Sequence, residues 1–221
     1  YNLFFCLLVF FPYKDDNPRV LFPFVTYGII GLNILVFWAQ FFVYGNERLI
    51  STFAFVPYEF KLFTIFTSMF MHGGLMHIIG NMWFLYIFGD NVESILGHVR
   101  FLLFYLFCGI GAAVAQFLIQ PDSTTPMVGA SGAIAGVLGA YMIKFPKARV
   151  HVLAVIFIFI TTIVVPAQLV LGLWFLMQLS GGLGSLGFDT TGGIAWFAHI
   201  GGFIVGISTL RIFQTINIKK I

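Results

Sequence analysis

Of 221 residues, 60% are hydrophobic and 9% are charged, with 29 Phe, a net charge of +3 and a mean hydropathy of +1.00. So little polar surface cannot cover a water-soluble globule of this size, and the composition identifies an integral membrane protein. Two cysteines, Cys6 and Cys108, lie in apolar runs and match neither a metal-ligand spacing nor a disulfide framework, so both read as small apolar residues.

Residues 1–13 (YNLFFCLLVFFPY) are uncharged but shorter than the roughly 20 apolar residues that span a bilayer. They also lack the basic start of a signal peptide. They are expected to be a fragment boundary or a short interfacial segment, with one membrane domain over 14–221. Beyond them, marking every Asp, Glu, Lys and Arg leaves six long charge-free intervals, at 20–46, 62–89, 101–121, 123–143, 150–188 and 190–210. These predict an all-α bundle of six membrane helices at about 22–44, 73–89, 100–119, 129–145, 165–180 and 192–212.

The fifth interval is too long for one span, and Pro166 breaks it near the middle. Residues 150–164 are therefore expected to be interfacial or re-entrant, with two short spans as the alternative. Basic residues test the count, because Lys and Arg gather on cytoplasmic loops. Six spans put nine of them on the side of both termini and leave only Arg48 and Lys61 opposite, whereas a seventh span gives six against five. Both termini are expected in the cytoplasm.

Polar groups inside spans are costly and each is a functional candidate by default. The candidates are Asn33, His72, His77, Asn81, Ser131 and His199, while His98 and His151 stand beside cytoplasmic basic residues. Ser131 lies shortly after Asp122 and His199 shortly after Asp189, so both enter their spans to a similar depth from the same face and can meet. At about 1.5 Å per residue that depth is at most about 15 Å. A histidine suits the task of taking the proton that makes a serine nucleophilic. No Asp or Glu falls within any expected span, which leaves a dyad without a third carboxylate.

His77 and Asn81 are spaced to share one helix face. There they serve either as donors to an oxyanion or as hydrogen bonds between helices, and spacing does not separate the two. Ser131 likewise reads as a helix cap or as a nucleophile. Small residues at Gly132-xxx-Gly136 and Gly202-xxx-Gly206 allow close helix packing.

At these residues the sequence resembles the rhomboid family of intramembrane serine proteases. The stretches that carry the resemblance are Met71-His72-Gly73-Gly74-Leu75-Met76-His77-Ile78-Ile79-Gly80-Asn81, then Gly129-Ala130-Ser131-Gly132, then Ala198-His199-Ile200-Gly201-Gly202 with Gly206. The resemblance implies Ser131 as nucleophile and His199 as general base. It implies an oxyanion hole from His77, Asn81 and the Ser131 backbone N–H, with His72 beside the cavity. It also implies a six-helix bundle with a first outer loop, about 45–72, partly embedded in the membrane, and substrates that are themselves transmembrane proteins.

Two positions depart from patterns found in some members. Phe63 and Thr64 stand where those carry a Trp-Arg pair, and Ala135 stands where they carry a tyrosine that stacks on the histidine, so another group must orient His199. No cofactor or metal is implied, since no ligand cluster or phosphate loop occurs. The expected setting is the cell membrane of a bacterium or archaeon. The competing reading is a non-catalytic binder of membrane-protein clients, because a fold does not dictate a function. A transporter is disfavoured because the polar residues cluster toward one end.

Overall fold

The computed structural model describes residues 10–156, 159–187 and 194–214. In chain order the elements are β1 (Phe10–Asp15), α1 (Phe24–Phe42), α2 (Asn46–Phe53), α3 (Thr64–Thr67), α4 (Leu75–Leu96), α5 (His98–Ile119), α6 (Ser131–Lys144), β2 (Arg149–Ile156), β3 (Phe159–Pro166), α7 (Ala167–Gly187) and α8 (Trp196–Phe213). The architecture is a helical membrane bundle. Among the described residues, α1, α5, α8 and Ala167–Leu186 of α7 are long and apolar enough to cross a membrane. α6 is apolar but shorter, at 14 residues, and is almost wholly enclosed by its neighbours.

α8 lies against both α5 and α6, and the core gathers around them: Phe104, Tyr105 and Cys108 of α5, Val137, Leu138 and Tyr141 of α6, and Phe203 and Leu210 of α8. α4 runs past the expected end of the second span at 89 and carries Asp90 and Glu93 inside its last turns. The charges that ended the apolar interval are therefore part of the helix. Glu93 is fully buried and is saturated with donors. It accepts from the backbone N–H groups of Val25 (2.9 Å) and Thr26 (2.8 Å), from Thr26 Oγ1 (2.6 Å) and from His98 Nδ1 (2.6 Å). The first N–H groups of a helix lack partners within it and carry positive partial charge. Glu93 supplies those of α1 from a neighbouring helix.

Within the segment 150–164, expected to be interfacial or re-entrant, residues 150–156 and 159–164 lie in two paired β-strands. β2 and β3 pair antiparallel from Arg149↔Pro166 to Ile156↔Phe159. Val, Ile and Thr dominate this run, and branched side chains favour the pleated backbone. Val150, Val152 and Ala154 alternate into the core. A count of charges records the run only as apolar and cannot see that preference. β1 completes the sheet by pairing with β2, from Phe10↔Ala154 to Asp15↔Val150. The domain boundary expected at residue 14 thus falls inside a strand, and residues 10–13 belong to the folded unit because their backbone is paired; residues 1–9 lie outside the described residues.

Candidate active site

The site is made by a close crossing of α6 and α8. A Cβ added at Gly202 would stand 1.9 Å from the Gly132 carbonyl oxygen, and one at Gly206 2.1 Å from that of Gly136. Only glycine lets the two backbones approach this far. Ser131 adjoins Gly132, and His199 precedes Gly202 by one turn, so the crossing that the glycines permit brings both side chains together. Ser131 Oγ and His199 Nε2 are 2.7 Å apart.

Ser131 is the first residue of α6, and the N-cap position before it is held by Ala130. The cap reading of this residue is therefore not realised. The other ring nitrogen, His199 Nδ1, lies 2.8 Å from Gln178 Oε1 on α7. The Trp174 ring, one turn earlier on α7, stands beside the imidazole at 6.1 Å between centroids and a 36° tilt. Ala135 is fully buried and contributes only a methyl group. α8 is anchored next to His199 by Gln116 of α5, whose Oε1 accepts from the Ala198 N–H at 3.3 Å.

On the opposite wall, His77 and Asn81 converge on the turn before Ser131. Gly129 adopts φ +120°, and a Cβ there would lie 2.6 Å from His77 Nε2 and 3.4 Å from Asn81 Nδ2. The turn is pinned by the Gly129 N–H donating to Ser68 O at 2.9 Å. His77 Nδ1 accepts from the Gly73 N–H at 3.4 Å, which leaves Nε2 to carry the proton and act as a donor. Asn81 is 8% exposed and its Nδ2 has no partner. Two groups able to donate thus approach the turn next to Ser131.

The remaining candidates lie apart from this group. His72 is fully buried behind His77, ring edge to ring face at 5.2 Å, with neither ring nitrogen paired. It does not line the cavity expected for it. Its backbone is fixed by Gln40, which accepts from the His72 N–H at 3.2 Å and donates to the His72 carbonyl at 2.7 Å. That double tie turns the ring inward. Asn33 donates to Ile29 O of its own helix at 2.8 Å and stands away from the site.

A cavity of about 1030 Å³ takes in Ser131, His199, His77 and Asn81 and extends to Asp122 and Ser123 in the loop between α5 and α6. That loop is tied to the chain after α2 by the antiparallel pair Phe55↔Met127 and by the Tyr58 N–H donating to Ser123 O at 3.1 Å. Asp189, expected to mark the water boundary beside His199, lies outside the described residues. Asp90 and Glu93 sit at the far end of α4.

Gln178 belongs to none of the sequence motifs that mark the other site residues. Its signal was an isolated amide in the long apolar interval, a residue type that membrane helices bury at a cost. Together the groups have the form required for acyl transfer: a hydroxyl bonded to an imidazole, a third group on the far nitrogen, and paired donors beside the hydroxyl.

Comparison with known proteins gives one consistent result. The chain is similar to rhomboid protease GluP of Bacillus subtilis (strain 168), 36% identical over 126 residues, covering 54% of this chain and 24% of that protein. It is similar to the mitochondrial presenilin-associated rhomboid-like protein of Homo sapiens, 33% identical over 134 residues, covering 59% of this chain and 35% of that one. RHOMBOID-like protein 6, mitochondrial, of Arabidopsis thaliana is 37% identical over 78 residues, 35% of this chain and 25% of its own. The matched stretches thus span about a quarter to a third of these relatives' length. The model of the rhomboid domain matches residues 59–215, which include the histidine pair before and on α4, the glycine crossing of α6 and α8, and the serine and histidine that this crossing joins. By that match, over well more than half its length, the chain belongs to the rhomboid family.

Proposed function

We propose that this protein is an intramembrane serine endopeptidase that hydrolyses peptide bonds within or near transmembrane segments of other membrane proteins. The observation that carries the reading is the 2.7 Å approach of Ser131 Oγ to His199 Nε2 on crossing helices. Ser131 Oγ gives its proton to Nε2 and bonds to the scissile carbonyl carbon. The oxygen that becomes negative accepts from His77 Nε2–H, Asn81 Nδ2–H and the first-turn N–H of Ser131, which the helix leaves free. The His199 imidazolium returns the proton to the leaving amine, and the C–N bond breaks. Water then enters, loses a proton to His199 and adds to the acyl carbon; the bond to Ser131 Oγ breaks as His199 returns the proton to that oxygen, and the acid leaves.

A peptide bond inside a membrane helix is shielded by the helix's own hydrogen bonds, so the substrate segment must unwind locally before attack. The cavity offers room for an extended stretch. Apolar side chains exposed between α2 and α4, including Tyr58, Leu62 and Phe63, favour partial burial of that loop in the outer leaflet. The bias of basic residues favours a cell membrane with both termini in the cytoplasm and the cavity facing outward.

The test is cleavage of a single-span substrate by purified protein in liposomes. Wild type is expected to cleave, and Ser131→Ala and His199→Ala are expected to lose at least about 1000-fold. Undiminished cleavage by Ser131→Ala rejects the mechanism. A serine-directed fluorophosphonate that labels Ser131 only when His199 is present rejects the non-catalytic binder.

A further inference from the structure

We infer that Gln178 is the positioning residue for His199, an uncharged third member that takes the place of the missing carboxylate by fixing the imidazole tautomer. The inference rests on the protease reading above. A neutral imidazole carries one proton, on Nδ1 or on Nε2, and only the Nδ1–H form leaves Nε2 free to accept from Ser131. Gln178 Oε1, 2.8 Å from Nδ1, has no proton to give and can only accept. It therefore selects the form that the reaction needs.

An amide in this position is safe only if its orientation is fixed, because its NH2 end would select the other tautomer. Replacing the carboxylate of a serine protease triad by an amide lowers kcat about 10,000-fold for that reason. Here the NH2 end is anchored away. Gln178 Nε2 donates to Trp174 O, one turn back on α7, at 3.4 Å. Reversing the amide loses that bond and sets its oxygen against the Trp174 carbonyl oxygen. Gln178 is 3% exposed, so both contacts are made by a nearly buried side chain.

The surrounding packing holds α7 close enough for the side chain to reach. Phe175 of α7 stacks on Phe203 of α8 at 4.3 Å and 16°. A Cβ at Gly181 would stand 2.6 Å from the Trp196 ring of α8. Gln178 therefore completes the site only while α7 is docked on α8. The nucleophile, the base and the group that orients the base come from three separate helices.

The experiment compares wild type, Gln178→Leu and Gln178→Glu in liposomes by three measurements: kcat and KM on a single-span substrate, the rate of fluorophosphonate labelling of Ser131, and 15N spectra of ring-labelled histidine. Wild type is expected to show His199 protonated on Nδ1. Gln178→Leu, similar in size but without an acceptor, is expected to lower kcat and the labelling rate by about 10- to 100-fold with KM within about twofold. Gln178→Glu keeps an oxygen acceptor in either charge state and is expected to retain most of the activity that Leu loses.

Labelling of Gln178→Leu at the wild-type rate overturns the inference, as does a wild-type spectrum with the proton on Nε2. That spectrum decides the matter even if Gln178→Leu does not fold. A wild type that never labels rejects the protease reading instead, while the tautomer remains measurable on its own.

Discussion

At one end of α4, Glu93 is fully buried and receives four hydrogen bonds from α1 and His98; at the other, Asn81 is 8% exposed and its Nδ2 receives and gives none. About 18 Å of helix separates them. Burying an unpaired polar group costs about 1–3 kcal/mol, so a structural polar residue gains from saturation. A group that must bind an oxygen present only during reaction has to wait unpaired. On the proposed mechanism, the difference distinguishes a polar residue that holds helices together from one that is kept open. Other buried atoms also lack partners, among them Asn33 Oδ1 and Tyr105 Oη, but the cavity is where Asn81, His77, Ser131 and His199 converge.

The contrast makes opposite demands on variants of the two residues. Glu93→Leu strands the first N–H groups of α1 and is expected to cost about 3–5 kcal/mol of stability, read by unfolding in detergent. The molecules that remain folded should label with fluorophosphonate at the wild-type rate, and a selective loss of labelling would break the comparison. Asn81→Ala is expected to do the reverse, slowing cleavage about 100- to 1000-fold with stability unchanged or slightly raised. A large drop in its unfolding midpoint would make Asn81 a structural tie like Glu93.

Gly202→Ala acts on the joint between these regions. Its new methyl group meets the Gly132 carbonyl at 1.9 Å. Parting α6 from α8 is expected to cost about 1–3 kcal/mol and to separate Ser131 from His199, so that stability and labelling fall together. Wild-type labelling in that variant would show that the dyad does not depend on the crossing.

The smallest effect is a dependence on pH at the sheet. Burial pushes Asp15 of β1 up to about 6, opposed by a hydrogen bond from the Tyr141 hydroxyl, with Asp90 adding to the rise. The folded state therefore holds this proton more tightly than the unfolded chain does. Stability is expected to fall as pH rises from about 4 to about 6, and Asp15→Asn is expected to remove that slope. Asp16 behaves oppositely. His151 bonds to its carboxylate and holds it below the ordinary range, so its contribution is present above that range and is lost as pH falls. Unfolding midpoints of wild type and Asp15→Asn across this range check the sign.

These ends also differ in how far the sequence reveals them. Ser131, His199, His77 and Asn81 stand out because each is a polar group in an apolar interval, set in recognisable local order. Gln178 belongs to the same chemistry, yet its role depends on which atom of a distant histidine it meets, and no local spacing encodes that. Glu93 lies just past Asp90, whose charge closes the apolar interval, so the pattern leaves it outside the expected span whether or not partners surround it. The sheet was hidden for a related reason. Both β2 and β3 are apolar enough to resemble membrane segments, and pairing between Phe10 and Ala154 joins residues far apart in the chain.

That pairing has a consequence for assembly. β1 is synthesised before α1, but its partner β2 emerges only after α6, so β1 waits with an open edge while the six helices α1 to α6 are made. Contacts so distant in sequence form slowly. Closure of the sheet fixes β1 in the same sheet as β3, which leads into α7, the helix that presents Gln178. A strand made before α1 is thus paired only after α6, and its docking reports that the helices between the two strands have been delivered.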